Sequence, residues 1–313
     1  MDNLGVIDRF LAIFTQYIDS GFGLLGGEVA WLTGILVALD VTLAGLFWAL
    51  GGTDDVIAKL LKKILYVGAF AFIINNFRLL ADIIFASFAG LGLVATGTTL
   101  TAADLMKPGF VADTGYTAAY PLLTEANALL GFPSFFDNFV TIAIIILAWV
   151  IVLFAFFILA IQLFVTIIEF KLTTLAGFVL VPFALWNKTS FIAERVLGNV
   201  MASGIKVLVI AVVIGIGSTM FATMRTALPA DDMTIEQAFS VVLGALTLMG
   251  LAVFCPRIAA GLVSGAPQLS AGAAVGTTLG VGAAGMATRP RPIQRGAARL
   301  RAAVGPAASI EAA

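Results

Sequence analysis

The stretch FVTIAIIILAWVIVLFAFFILAIQLFVTII, residues 139–168, holds thirty consecutive positions without a charged side chain. As an α-helix it is about 45 Å long at 1.5 Å per residue, whereas a bilayer core takes about 20 residues. It is predicted to cross a membrane and either to tilt or to project beyond the hydrocarbon. Its far end is marked by Glu169 and Lys171, the first charges the chain meets.

The rest of the chain agrees with that reading. Of 313 residues, 61% are hydrophobic and 11% charged, and the mean hydropathy is +1.08. A soluble domain carries about 25% charged residues and needs them to cover its surface. Disorder requires low hydrophobicity and high net charge, and here the net charge is −1. The chain reads as an all-α polytopic membrane protein.

Four further apolar runs are long enough to span, at 31–50, 64–90, 201–222 and 238–255, giving five with 139–168. A shorter run at 172–186 contains Gly177 and Pro182 and ends at Trp186, Asn187 and Lys188. At about 15 residues it is marginal for a crossing. Residues 1–30 differ again. Leu4, Ile7, Leu11, Phe14 and Ile18 repeat at helical spacing, with Asp8, Arg9 and Gln16 off the stripe. That predicts an amphipathic helix lying on the membrane surface or against a partner subunit. It is not a signal peptide, because it lacks a basic start and Asp2, Asp8 and Asp19 interrupt it.

Basic residues set the orientation. With the N-terminus outside and 172–186 not crossing, twelve of the seventeen Lys and Arg lie inside. They are Lys59, Lys62, Lys63, Lys171, Lys188 and Arg195, with Arg257, Arg289, Arg291, Arg295, Arg299 and Arg301 in the tail 256–313. Arg9, Lys107 and Arg225 lie outside, and Arg78 and Lys206 fall within spans. If 172–186 crossed, the Arg-rich tail would be outside and the positive-inside rule would fail. The expectation is five spans, a periplasmic N-terminus, a cytoplasmic C-terminus, and 172–186 as a re-entrant or interfacial element in a cytoplasmic segment 169–200.

The outer segment 91–137 is long for a connection and rich in Gly, Thr, Ala and aromatics, so a folded cap or partner-binding surface is expected there. The Gly/Ala-rich run 259–288 reads as a low-complexity tail. The arginines after it suit anionic headgroups, with a nucleic-acid contact as the sharper reading.

Histidine is absent and cysteine occurs once, at Cys255. Ser-His-Asp and Cys-His catalysis and His- or Cys-rich metal sites are therefore excluded. No Walker A loop, EF-hand or HExxH motif is present. No cofactor and no enzymatic activity are expected.

Ionisable side chains inside spans are costly and face a bundle interior or a water-filled path. Asp40, Arg78, Asp82 and Lys206 are such residues. Asn75, Arg78 and Asp82 share one helix face, and Arg78 and Asp82 stand at i,i+4. They either neutralise one another and join helices, or line a conduit. Asp40 and Lys206 are on different helices, where a cross-bundle pair is one of several possible pairings.

Residues 169–217, EFKLTTLAGFVLVPFALWNKTSFIAERVLGNVMASGIKVLVIAVVIGIG, resemble the TrbL family of polytopic inner-membrane components of conjugative type IV secretion systems. The N-terminal helix, five spans and Gly/Ala-rich tail match that layout. The resemblance implies an inner-membrane channel or assembly platform beneath the pilus, supporting pilus assembly and DNA–protein transfer. It implies pilin, minor pilin and stalk proteins as periplasmic partners, secretion ATPases as cytoplasmic ones, transient single-stranded DNA–relaxase as substrate, and a homopentamer. Glu169, Lys171, Trp186, Asn187 and Lys188 are the residues carried over; no catalytic role is implied. A small-solute transporter or ion channel is the alternative, since intramembrane charges and a re-entrant element suit it. Against it, the two halves show no inverted repeat.

Overall fold

The computed structural model describes residues 5–51, 56–130, 136, 138–227 and 234–264. Its helices are α1 (Gly5–Leu50), α2 (Val56–Asn75), α3 (Phe77–Val94), α4 (Ala102–Leu105), α5 (Pro108–Ala128), α6 (Phe139–Leu180), α7 (Ser190–Ala227) and α8 (Ile235–Ser264), with a 3₁₀ turn Val181–Leu185 after α6. Among the described residues there is no strand. Five helical stretches are long and apolar enough to cross a membrane: Gly5–Leu50, Phe77–Val94, Phe139–Leu185, Ser190–Met224 and Ile235–Gly261. The protein is an all-α polytopic membrane protein.

Several element bounds differ from the sequence expectation. The N-terminal helix and the first apolar run are one helix of 46 residues, not a separate 1–30 element and a span at 31–50. Leu11, Ile18, Phe22, Val29, Leu36 and Asp40 are buried at steps of 7, 4, 7, 7 and 4, so one packed face continues through Gly26-Gly27. Two glycines cost about 1 kcal/mol each against alanine, which tertiary packing outweighs.

The expected span 64–90 is two helices, broken at Asn76. Asn76 leaves the helical region at φ −110°, ψ 16°, and its Nδ2 donates to Phe72 O at 2.9 Å. Asparagine competes for backbone groups in this way, which makes it a poor helix-interior residue.

The run 172–186 is not a separate re-entrant element. α6 passes through Glu169 and Lys171 to Leu180 and then tightens into the 3₁₀ turn around Pro182. That turn is fastened by the Tyr66 hydroxyl, which donates to Ala184 O at 3.0 Å.

The segment 91–137 is not only an outer cap. Its α5 is a bundle helix with Val111, Ala112, Gly115, Ala119, Leu122 and Ala126 buried. Small side chains let it lie against α6: a Cβ on Gly115 would sit 2.2 Å from Phe156 Cβ. Residues 131–135 and 137 of this segment, and the tail beyond Ser264, lie outside the described residues.

Aromatic pairs fix the helix directions. α1 runs parallel to α6, with Phe14 near Phe164 (6.1 Å between ring centroids) and Phe22 near Phe178 (5.4 Å). α7 returns antiparallel, with Phe221 at 4.9 Å from Phe156, and α8 reverses again, with Leu248 against Gly217. α3 runs beside α7, where Gly92 meets Leu208 and Ala211, and Gly204 meets Phe88. The main core joins α3, α5, α6, α7 and α8 around Phe85, Val152, Leu163 and Ile210. A smaller core joins α1, α2, the start of α3 and the 3₁₀ turn through Phe22, Val29, Ile74, Phe77 and Val181. Lipid is as apolar as leucine, so close packing and polar links hold helices together there, with little hydrophobic driving force.

Candidate functional site

Six charged side chains, Asp19, Arg78, Asp82, Glu169, Lys171 and Lys206, collect in one band across the bundle. Lys171 on α6 is buried and donates to Asp82 Oδ1 on α3 at 2.9 Å and to Asp19 Oδ1 on α1 at 3.2 Å. Arg78, at the start of α3, places Nη2 3.6 Å from the other oxygen of Asp19. Its side chain is 58% exposed, against 10% for Lys171. Two residues earlier on α6, Glu169 receives the ammonium of Lys206 from α7. Positions 169 and 171 point to different faces of α6, so one helix is tied to α1 and α3 on one side and to α7 on the other. The Thr174 hydroxyl donates to Lys171 O at 2.8 Å.

Of the several pairings open to Asp40 and Lys206, the one between the two of them is not formed. Asp40 is buried on α1 and pairs with Lys63 on α2; Lys206 pairs with Glu169. Arg78 and Asp82 share the α3 face, but each turns to another helix. The physical reason is Lys171: an unpaired ammonium at that depth would cost several kcal/mol, and two carboxylates converge to offset it. Lys206 and Asp82 thereby lie level with Glu169 and Lys171, at the end of the charge-free part of α6 rather than midway along it.

The other sequence candidates lie apart from the band. Asn75 is exposed and lines a groove of about 620 Å³ between α1 and α2–α3, together with Gly23, Gly26, Gly34, Ala71 and Arg78. Trp186 is half-buried after the 3₁₀ turn, where its carbonyl accepts from Thr189 N at 2.9 Å. Asn187 O accepts from Ser190 Oγ at 3.2 Å, and Lys188 is exposed. Arg289, Arg291, Arg295, Arg299 and Arg301 lie outside the described residues.

Three features were not read from sequence. Asp19, taken only as an interruption of an apolar segment, is the shared acceptor of the band. Asp8 Oδ1 accepts from Gly109 N at 2.6 Å, joining α1 to the first turn of α5. A carboxylate there meets the positive end of a 21-residue helix. Thr101 and Asp104 form a reciprocal cap on α4, and that pattern was legible as T-x-x-D. The Thr101 amide, its hydroxyl and nearby Lys107 together hold the Asp104 carboxyl below its ordinary value.

The arrangement offers ion-paired contacts between helices, and no group of three or more His, Cys, Asp and Glu fit to hold a metal ion occurs among the described residues. Comparison with known proteins gives the family. A family model described as TrbL/VirB6 plasmid conjugal transfer protein matches residues 37–255. The probable conjugal transfer protein TrbL of Sinorhizobium fredii (strain NBRC 101917 / NGR234) is 25% identical over 235 residues, covering 74% of this chain and 56% of that protein. The conjugal transfer protein TrbL of Rhizobium radiobacter is 24% identical over 234 residues, with the same coverage. The chain thus spans little more than half the length of these relatives. With the match running from the last third of α1 through α2 to α7 and into most of α8, the chain belongs to the TrbL/VirB6 plasmid conjugal transfer protein family.

Proposed function

We propose that this chain is a non-enzymatic platform subunit of a conjugative type IV secretion system in the bacterial inner membrane, working as a homopentamer. The observation that carries the reading, beyond family membership, is the use of the deep charges. Lys171, Asp82, Asp19, Glu169 and Lys206 are spent on joining four helices, as a rigid scaffold requires. A solute carrier would instead converge such groups on a substrate cavity.

In this reading α1, α6 and α8 run inward and α3 and α7 run outward. That alternation puts the start of α1 and the end of α8 on opposite sides, and the basic residues choose a periplasmic N-terminus and a cytoplasmic C-terminus; the charged band then falls toward the cytoplasmic boundary. The periplasmic ends of α6–α8 meet pilin and minor pilin or stalk proteins. The turn Trp186–Lys188 and the Arg-rich tail meet secretion ATPases and anionic headgroups. The relaxase-bound single strand is the transient substrate.

Plasmid transfer between cells tests this directly. Deleting the gene should abolish transfer, and supplying it in trans should restore it, with growth and solute uptake unchanged. Normal transfer together with a solute-uptake defect would favour the transporter reading.

A further inference from the structure

Two grooves along the first half of α1 differ in character. One is dry: Val6, Ile7 and Phe10 face Phe157, Ile161 and Phe164 of α6 around about 540 Å³, a lining that acyl chains satisfy. The other, of about 610 Å³, is bounded by Asp8, Thr15, Gln16, Asp19 and Ser20 of α1 and by Arg78 of α3. At 100° per residue the α1 members of this second groove fall in one sector of the helix. Phe10, Ile13, Phe14 and Tyr17 occupy the neighbouring exposed sector, and Leu11, Ile18 and Phe22 the buried one.

The polar groove lies at the depth of an apolar belt. The turns of α1 that carry it pack on the charge-free part of α6, with Phe14 at 6.1 Å from Phe164. From Asp8 to Ser20 it runs about 18 Å at 1.5 Å per residue, and it ends at the charged band. Part of its polarity is met within the protein: Asp8 accepts from Gly109 N, Asp19 faces Lys171 and Arg78, and the Ser20 hydroxyl donates to Tyr17 O. The rest is not. The enclosed Thr15 hydroxyl has no partner among the described residues, Gln16 is exposed, and Arg78 keeps guanidinium donors to spare. Acyl chains offer these groups no hydrogen bond, whereas water offers them donors and acceptors alike. Arg78 also lines the groove of Gly23, Gly26 and Gly34, in the same sector of α1, so the open side of the helix continues past the band.

We infer that the polar side of α1 is a water-filled inlet, entered at Arg78 from the cytoplasmic boundary and reaching along α1 to Asp8, beside the charge-free stretch of α6. The side on which it opens rests on the orientation proposed above; its wetness does not. Asp19 already gives both oxygens to cations, so Thr15, Gln16 and the free part of Arg78 are what the inlet offers to water. α1 is thereby the helix that turns a hydrophilic wall away from lipid while its phenylalanine side faces the acyl chains.

The test places single cysteines in the full-length Cys255→Ser chain and treats native membrane vesicles of both orientations with a charged methanethiosulfonate. Ala12→Cys and Gln16→Cys lie on the polar side; Ile13→Cys and Tyr17→Cys, one residue further along, sit at nearly the same depth on the apolar side. The reagent attacks the thiolate, which forms in water and is suppressed in apolar surroundings, so the first pair should react on the order of tenfold faster than the second. That reaction should require access from the cytoplasmic side. Ala12→Cys adds a single sulfur and carries the test should Gln16→Cys fail to accumulate. Equal rates at all four positions, or no reaction on the polar side, would overturn the inlet. An Arg299→Cys chain in the same vesicles separates this from the orientation. Cytoplasmic labelling there with an unreactive polar side overturns the inlet and leaves the orientation standing. Periplasmic labelling there overturns the orientation and, with it, the cytoplasmic mouth.

Discussion

At the scale of single residues, Lys171 is the most consequential side chain among those described. Replacing it with methionine leaves the carboxylates of Asp19 and Asp82 facing one another without their cation. Removing one partner from a buried ion pair costs about 3–5 kcal/mol, so Lys171→Met should sharply lower the melting temperature of the detergent-solubilised protein. Lys206→Met should cost less, because Lys206 and Glu169 are 22% and 42% exposed, whereas Lys171 and its partner Asp19 are 10% and 19% exposed. A larger loss for Lys206→Met than for Lys171→Met would contradict this ranking. The sequence singled out Asp40, Arg78, Asp82 and Lys206, since charge in apolar surroundings is conspicuous, and Lys171 through the family resemblance. It did not reveal their partners. Spacing along one helix shows which residues share a face, whereas Asp82 and Lys171 are 89 positions apart and meet only through packing. Asp19 escaped notice because it was assigned to a surface helix, where a carboxylate needs no explanation.

At the scale of elements, close approach decides where glycine is required. A Cβ on Gly92 would lie 2.4 Å from Leu208 O, a backbone atom that cannot step aside, and one on Gly115 would lie inside Phe156. Gly92→Ala and Gly115→Ala should each separate two helices and lower the melting temperature. Gly34→Ala meets nothing and should instead stabilise α1 by up to about 1 kcal/mol through helix propensity. Thermal unfolding of the three variants side by side checks the contrast. The α4 cap carries a pH signature. Asp104 has a lowered folded pKa, so its contribution is present above the unfolded carboxylate value and is lost as pH falls through the folded one. Protection of the Thr101 amide from hydrogen exchange should therefore persist at neutral pH and disappear only below the usual carboxylate range. Helical character and the number of apolar runs were plain from hydropathy. Bounds were less so: hydropathy averages over the break at Asn76 and over the continuity at Gly26-Gly27, both of which depend on local hydrogen bonds and packing. The moderate polarity of α5 disguised a helix that packs through its small residues.

At the scale of the whole molecule, alternating helix directions put the start of α1 and the end of α8 on opposite sides, and in the proposed reading the distribution of basic residues makes the α8 side cytoplasmic. A cysteine at Arg299, in a Cys255→Ser background, should react with an impermeant reagent only from the cytoplasmic side. Labelling from the periplasm would reverse the topology. The charged band then poses the central question, whether these groups clamp the scaffold or conduct through it. A buried ion pair can be exchanged for apolar side chains of similar volume with little loss of stability, but a conducting path cannot. The decisive measurement is plasmid transfer from donors carrying Lys171→Met alone or combined with Asp19→Leu and Asp82→Leu, with the membrane level of each chain recorded. The clamp account predicts that the single variant is depleted and transfers poorly, while the triple variant recovers both its level and transfer. A triple variant that accumulates normally yet fails to transfer would contradict it and make the band part of the conduit.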